Sequence, residues 1–368
     1  MINNFKTKVH SLYKNLKFYS RMRGRKRFTM LDLEKKLPQA KDVDKTLVND
    51  VRNFWEKVIG VKKVNYSWFE IYNSLEENKD RLKYYVPDEF WYTCVDSFYT
   101  DIYKAELFDD KNLYDLYFHD VRRPRTIVRK IEGAYLDADY NFIDEEMVYK
   151  LCVNEEEIII KAAVNSCGGT GIKFWNKKES KESLYEALRD DNIVVQEIVK
   201  QHEIMSHLHE GSLNTVRIMI LIHKGEVIPL STVVRMGVDN AKIDNASSGG
   251  IVCGVNSDGR LKDCAYNTKA IRFDKHPQGA IFQEHIIPNY DRCLDLAKKL
   301  APRFAHFSRL QSWDIAIDYD GEPSLIEANL TFGQIDFHQM CNGPILGNRT
   351  EEVLKYVTKY NKFINKIL

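Results

Sequence analysis

No apolar run in this chain of 368 residues approaches the roughly 18–20 residues needed to cross a bilayer. The N-terminus carries no apolar core of a signal peptide. Seven cysteines, an odd number without a C-x-x-C pair, exclude a disulfide framework and the usual zinc spacing. They read as reduced thiols of a cytosolic protein. Charge of one sign is missing as well: 54 basic and 53 acidic side chains leave +1, so no global field attracts nucleic acid. There is no internal repeat and no low-complexity linker. No Ser-His-Asp or Cys-His arrangement stands out. His202, His207 and His209 lie close together but without a zinc-ligand spacing, and read as surface or hinge histidines.

What is present is a chain that is 44% hydrophobic, enough to fill cores for two or three domains. Residues 1–31 hold nine Lys/Arg and no acid, with Phe5, Val9, Leu12, Leu16 and Tyr19 at helical spacing. Such a helix either docks on its own domain or lies on an anionic membrane surface. From Leu31 to about Tyr103 the pattern is mainly helical and rich in aromatics, and Pro87-Asp88 marks a helix start. From about Thr126 short strands take over: TIVRKIEGAYLD, EEIIIKAAVNS and NIVVQEIV, with the helical KESKESLYEALRDD between the last two. Two long hairpins follow, turning at Lys224-Gly225 and Asp320-Gly321, with an amphipathic helix, HIIPNYDRCLDLAKKLAPRFAHF, between them. The expected class is α+β with mostly antiparallel strands.

The second hairpin, SWDIAIDYDGEPSLIEANL, carries three polar residues where a plain sheet needs nothing acidic. If Asp320-Gly321 form a two-residue type I′ turn, counting outward places Asp314 opposite Glu327, with Cβ atoms roughly 4.5–5.5 Å apart. Asn329, two residues past Glu327, shares their face. Facing carboxylates repel unless a cation lies between them, and hard oxygen ligands of this kind suit Mg²⁺ or Mn²⁺. The other reading is a solvated strand face.

Upstream, IIIKAAVNSCGGTGI puts Lys161 near the end of a buried strand, ahead of the small-residue loop Ser166, Cys167, Gly168, Gly169, Thr170, Gly171. Such a loop can bring backbone N–H groups to phosphate oxygens, although it is neither a Walker loop nor a Rossmann turn and could be a plain hairpin turn. IVVQEIVKQHE ends in polar groups, so Gln196, Glu197 and Ile198 could present backbone to a flat heterocycle and Glu203 could accept from ribose hydroxyls. Lys111 lies in the helical run DDKNLYDLYF, Arg217 and Arg235 on the two strands of the first hairpin, and Asn245 opens the second small-residue loop, NASSGG. The turn register alone does not show whether the two arginines share a face.

This order of parts resembles the ATP-grasp superfamily over about residues 111–340. The resemblance implies two α+β subdomains with antiparallel sheets clamping ATP, at 106–199 and 200–368, after a helical region at 1–105. It implies that Asp314, Glu327 and Asn329 ligate Mg²⁺ (or Mn²⁺) on the ATP phosphates. Lys111 and Lys161 would contact phosphates and adenine, and Ser166, Gly168, Gly169, Thr170 and Gly171 would cover the phosphates. Gln196, Glu197 and Ile198 would form the adenine hinge, and Glu203 would bind ribose. Arg217, Arg235 and Asn245 would handle the transferred phosphate and an acyl-phosphate intermediate. More narrowly, D-x-A-x-x-x-x-G and the long N-terminal region resemble sugar-transfer-associated ATP-grasp proteins and their teichuronopeptide-synthesis relatives, linked to bacterial capsule and surface polysaccharide. Two departures are Ala162, where many members have Pro, and Gln196, where Glu is common. The implied activity is ATP-dependent ligation of a uronic-acid carboxylate to an amine or amino acid, in the cytoplasm at the inner face of the membrane. The alternatives are a kinase acting on a sugar or polyol hydroxyl and a non-catalytic binding component.

Overall fold

The computed structural model describes residues 2–60, 64–164 and 171–361. It divides into two compact units, Met1–Thr100 with Thr268–Ile271 and Gln334–Leu368, and Asp101–Asn267 with Arg272–Gly333.

The first unit is helical among its described residues. Its opening helix, Ile2–Lys36, buries Met22, Thr29, Leu33 and Lys36. Arg25 donates to Tyr92 O at 2.9 Å and pairs with Asp96, and Lys26 lies 2.6 Å from Glu89. The second half of the helix is therefore docked on its own unit. Leu16, expected on the apolar face, is 61% exposed; the side chains of Phe5, Val9 and Leu12 lie outside the described residues. The helix Lys45–Ile59 begins where Asp44 accepts from Thr46 N and Leu47 N, and ends at Gly60, whose φ of 70° suits glycine. Trp55, Phe69, Trp68, Tyr72 and Trp91 fill the interior. The helical run from Asp88 to Tyr99 passes through one π-helical stretch, Trp91–Val95.

The second unit holds two sheets, antiparallel throughout. The smaller is built from β1 (Thr126–Ile131), β2 (Ala134–Leu136), β3 (Phe142–Ile143), β4 (Glu157–Ala162), β5 (Lys173–Asn176) and β6 (Ile193–Glu197), in the order β3-β2-β1-β6-β4-β5. The single stretch TIVRKIEGAYLD is itself the β1–β2 hairpin, because Glu132 and Gly133 both take positive φ, 49° and 79°. Helices Glu145–Cys152 and Lys181–Ala187 cover this sheet through Val148, Cys152 and Leu184 against Ile158, Ile160 and Trp175.

The larger sheet contains β7 (Thr215–His223), β8 (Glu226–Met236), β9 (Ile251–Val255), β10 (Leu261–Tyr266), β11 (Arg272–Phe273), β12 (Leu310–Ile317) and β13 (Pro323–Asn329), ordered β11-β10-β9-β8-β7-β12-β13. Helix Tyr290–Leu300 packs Cys293, Ala297 and Leu300 into its core beside Ile218, Ile220 and Ile315. The amphipathic period, with apolar residues recurring every three to four positions, gives this helix its buried stripe.

The two hairpin turns differ. Lys224-Gly225 is the expected two-residue turn, with φ of 51° and 87° and His223 paired to Glu226. Asp320-Gly321 is not. Asp318 N bonds Glu322 O at 3.0 Å and Gly321 N bonds Asp318 O at 2.8 Å, so the loop has three residues, and of these Gly321 takes a positive φ (83°). That shifts the register by one. A bulge then shifts it back: Ile315 faces Leu325 but Asp314 faces Glu327, with Ile326 the extra residue.

Candidate functional site

The large sheet positions most of the charged groups by register. Asp314 on β12 faces Arg217 on β7 and Glu327 on β13, while Arg235 on β8 faces Thr215, two residues from Arg217. Directly opposed residues and those two apart share a face, so Arg217, Arg235, Asp314 and Glu327 converge. Arg217 grips Asp314 with both ends of its fork, Nε to Oδ1 and Nη2 to Oδ2, each at 2.7 Å. Arg235 Nη1 adds a bond to Oδ2 at 3.0 Å, and Asn329 Nδ2 another at 3.4 Å. Burial alone would raise the Asp314 carboxyl, but the two guanidiniums hold it below the ordinary carboxylate value.

The small sheet's side supplies the lysines. Asp110 accepts from Asn112 N at 2.9 Å to start the turn Lys111–Leu113, and Lys111 N donates to Ala163 O at 2.9 Å just past β4. Buried Arg129 on β1 holds the same turn: its Nε donates to Asn112 O at 3.1 Å while Nη2 pairs with Asp115. Lys111 Nζ thereby reaches Glu327 Oε1 at 2.9 Å. Burial pulls this lysine down, yet Glu327 leaves it above the ordinary value. Lys161 donates to Gln196 Oε1 at 3.1 Å. Burial first, and then the neighbouring Lys111 charge, push it down to about 8.

The facing carboxylates were expected to need a metal between them; in this structure Arg217, Arg235 and Lys111 relieve their repulsion. Two carboxylates and an amide nonetheless converge on one face and already draw cationic nitrogens to within 3.0 Å. That donor set fits a hard divalent ion.

The remaining site candidates separate. Glu197 is committed to Arg125, accepting Arg125 N at 3.0 Å and donating its own N–H to Arg125 O at 3.1 Å. Its backbone N–H is therefore taken up by Arg125, just ahead of β1. Ile198 lies one residue past β6. Glu203 is 85% exposed at the side chain and lies 3.8 Å from His207, without contact to the charged cluster among the described residues. Asn245 is buried and its carbonyl accepts from Ser248 N and Gly250 N. Gly171 has a φ of 78°, while Ser166, Cys167, Gly168, Gly169 and Thr170 lie outside the described residues. Of the three histidines, His202 caps a helix turn and His207 is exposed. His209, expected at a surface or hinge, is buried, with Nδ1 2.8 Å from Ser212 Oγ.

Sequence reasoning missed Asp244 and Arg129. Asp244 accepts from Thr215 Oγ1, and its Oδ1 stands 3.9 Å from Arg235 Nη2. Burial raises its carboxyl, with Arg235 opposing. An acid beside Asn245 reads as ordinary loop chemistry, so the one available signal was its place next to a residue already singled out. The loop bearing both is pinned at Gly250, where a Cβ would stand 2.7 Å from Met236 O and 2.9 Å from Asp244 O. Carbonyl oxygens cannot rotate aside, so Gly250→Ala is expected to destabilise by about 1–3 kcal/mol, read by urea unfolding. An unchanged midpoint would contradict this close approach.

Fold and site together define a two-sheet α+β protein with a charged cluster in which acids and bases neutralise one another. A model of the sugar-transfer associated ATP-grasp family matches residues 95–355, and the chain belongs to that family. No curated protein matches it. Solved structures similar to it include D-alanyl-alanine synthetase A from Vibrio cholerae, at 12% identity over 70% of this chain with a TM-score of 0.41. The match spans 65% of that synthetase, less than two thirds of its length. D-cycloserine synthetase DcsG is 13% identical over 70% of this chain and 72% of its own, with a TM-score of 0.39. The biotin carboxylase domain of Hydrogenobacter thermophilus 2-oxoglutarate carboxylase is 16% identical over 69% of this chain and 46% of its own, with a TM-score of 0.41.

The pKa of Lys161 gives a measurable consequence. If its ammonium meets nucleotide phosphate, MgADP affinity falls as pH rises through about 8, where the charge is lost, and Lys161→Met shows no step there. Isothermal titration across that range checks it; a flat wild-type profile contradicts the assignment. In the free protein the sign reverses. The unfolded chain holds the lysine proton up to the ordinary value of 10.5, so stability rises with pH between about 8 and 10.5.

Proposed function

We propose that this protein is an ATP-dependent carboxylate–amine ligase that activates a uronic-acid carboxylate as an acyl phosphate and transfers it to an amine in surface-polysaccharide assembly. The observation that carries the reading is the pairing of Lys111 with Glu327 and of both arginines with Asp314, which gathers phosphate-binding cations and hard oxygen ligands in one cleft. Asp314, Glu327 and Asn329 would hold Mg²⁺, which when bound neutralises the β- and γ-phosphates. Lys111 and Lys161 bind and orient phosphate oxygens. Arg217 and Arg235 face the charge that develops on the phosphoryl group and on the tetrahedral carbon, where fixed donors lower the barrier. No protein nucleophile is required, because the substrate carboxylate attacks the phosphoryl group.

The test is phosphate release with ATP and Mg²⁺ across paired uronic acids and amino acids. An active pair should require both partners, and its product should weigh their sum less one water. A stable phosphorylated sugar instead would identify a kinase.

The first helix suits work at a membrane. Exposed Leu16, Phe28 and Leu31 are interspersed with exposed Arg23 and Arg27, an arrangement that favours an anionic lipid surface. The protein is expected to co-sediment with phosphatidylserine vesicles and not with phosphatidylcholine ones, and Arg23→Glu with Arg27→Glu to release it. Equal behaviour towards both vesicle types would contradict a lipid contact.

A further inference from the structure

The segment between β8 and β9 carries a carboxylate, Asp244, that the cation set holds only at longer range. Asp314 and Glu327 each hold a cationic nitrogen within 3.0 Å. Asp244 does not: its Oδ2 accepts from Thr215, and its Oδ1 faces Arg235 Nη2 at 3.9 Å, beyond hydrogen-bond reach. The side chain keeps 15% exposure. Two residues earlier, Lys242 stands 3.7 Å from Glu157 on β4 and lies over the Phe174 ring on β5 at 4.9 Å. The segment therefore reaches from the large sheet, which carries Arg217 and Arg235, to the small one, which carries Lys161. The charge of Asp244 is felt by all three.

That setting poses a problem for an amine substrate. Near neutral pH it arrives as an ammonium ion, which cations a few ångströms away repel. Lys111, Lys161, Arg217 and Arg235 would together repel it unless a carboxylate oxygen free of hydrogen bonds faced it. Building on the ligase reading, we infer that Asp244 is the binding site for the ammonium group of the acceptor, with Oδ1 accepting its hydrogen bond and then one of its protons.

The step balances. R–NH₃⁺ gives a proton to the Asp244 carboxylate, leaving R–NH₂ and a neutral carboxyl. The nitrogen lone pair attacks the acyl carbon, the C–N bond forms and the C–O bond to phosphate breaks. Phosphate departs with that electron pair and takes up the second amine proton, and Asp244 returns its proton to solvent. Thr215 holds the carboxylate in place, and Gly250 lets the segment approach closely enough to present it.

The test uses wild type and Asp244→Asn, which keeps an oxygen to accept from Thr215. Both are given ATP, Mg²⁺ and D-glucuronate or D-galacturonate, free or UDP-linked. One arm uses glycine or L-alanine, which arrive as ammonium ions; the other uses hydroxylamine, which is neutral near pH 7 and needs no base. The ratio of amide to hydroxamate is expected to fall on the order of 10²-fold in Asp244→Asn. MgADP binding equal to wild type shows the variant is folded. An unchanged ratio, whether both products fall or neither does, overturns the assignment and leaves the ligase reading standing. No hydroxamate from wild type with any of these uronates overturns the ligase reading itself.

Discussion

Replacing both Asp314 and Glu327 by alanine is expected to abolish ATP turnover. On the proposed reading each supplies a hard oxygen ligand, and losing one group that stabilises transition-state charge costs on the order of 10²–10³-fold. Together the loss should be at least about 10³-fold. Glu327→Gln separates chemistry from folding. Its side chain is 27% exposed and its pairing is a single contact with Lys111, so the variant should fold normally and still lose most turnover. Phosphate release measured with the substrate pair found active in wild type decides it. Turnover like that of wild type in Glu327→Gln would remove the metal-site reading.

Asp314→Ala is expected to lose about 3–5 kcal/mol of stability, because it strands two guanidiniums that the fold keeps buried. Arg217 has both ends of its fork on that one carboxylate, and Arg235 already has a buried Nε without a hydrogen-bond partner. Urea unfolding of the two single variants makes the contrast: a large drop in midpoint for Asp314→Ala and, for Glu327→Gln, a change below about 1 kcal/mol. Equal midpoints would mean that Asp314 is not the anchor of the arginine pair.

Much of the large sheet was legible because its hairpins carry local signals. Lys224-Gly225 forms the two-residue turn expected of a residue pair that tolerates positive φ. At Asp320-Gly321 the same reasoning reached the right partner by a wrong route. The loop has one residue more than assumed, and the bulge at Ile326 restores the register before Asp314 meets Glu327. Neither deviation has a signature in the sequence, since a bulge is selected by how strands twist and pack rather than by the residue inserted. The polar ending of β6 was visible, but Glu197 spends its N–H and its carboxylate on Arg125, seventy-two positions away.

By itself the sequence determined the class of fold, the two long hairpins and the helix between them, and which charged residues the strands carry. These follow from periodicity, turn chemistry and side-chain charge, all of which are local. Only the tertiary structure decided which charges meet. Arg217 and Arg235 could have pointed to either face; the register of β7, β8 and β12 turned both onto Asp314. Lys111 could have been a surface lysine; the turn held by Arg129 brought it to Glu327 across more than two hundred residues of chain. Asp244 was one acid among fifty-three until the segment between β8 and β9 set it beside Arg235, with Oδ1 3.9 Å from the guanidinium. The reason is physical: the energy of a buried charge is set by the groups within a few ångströms, and those neighbours come from distant parts of the chain.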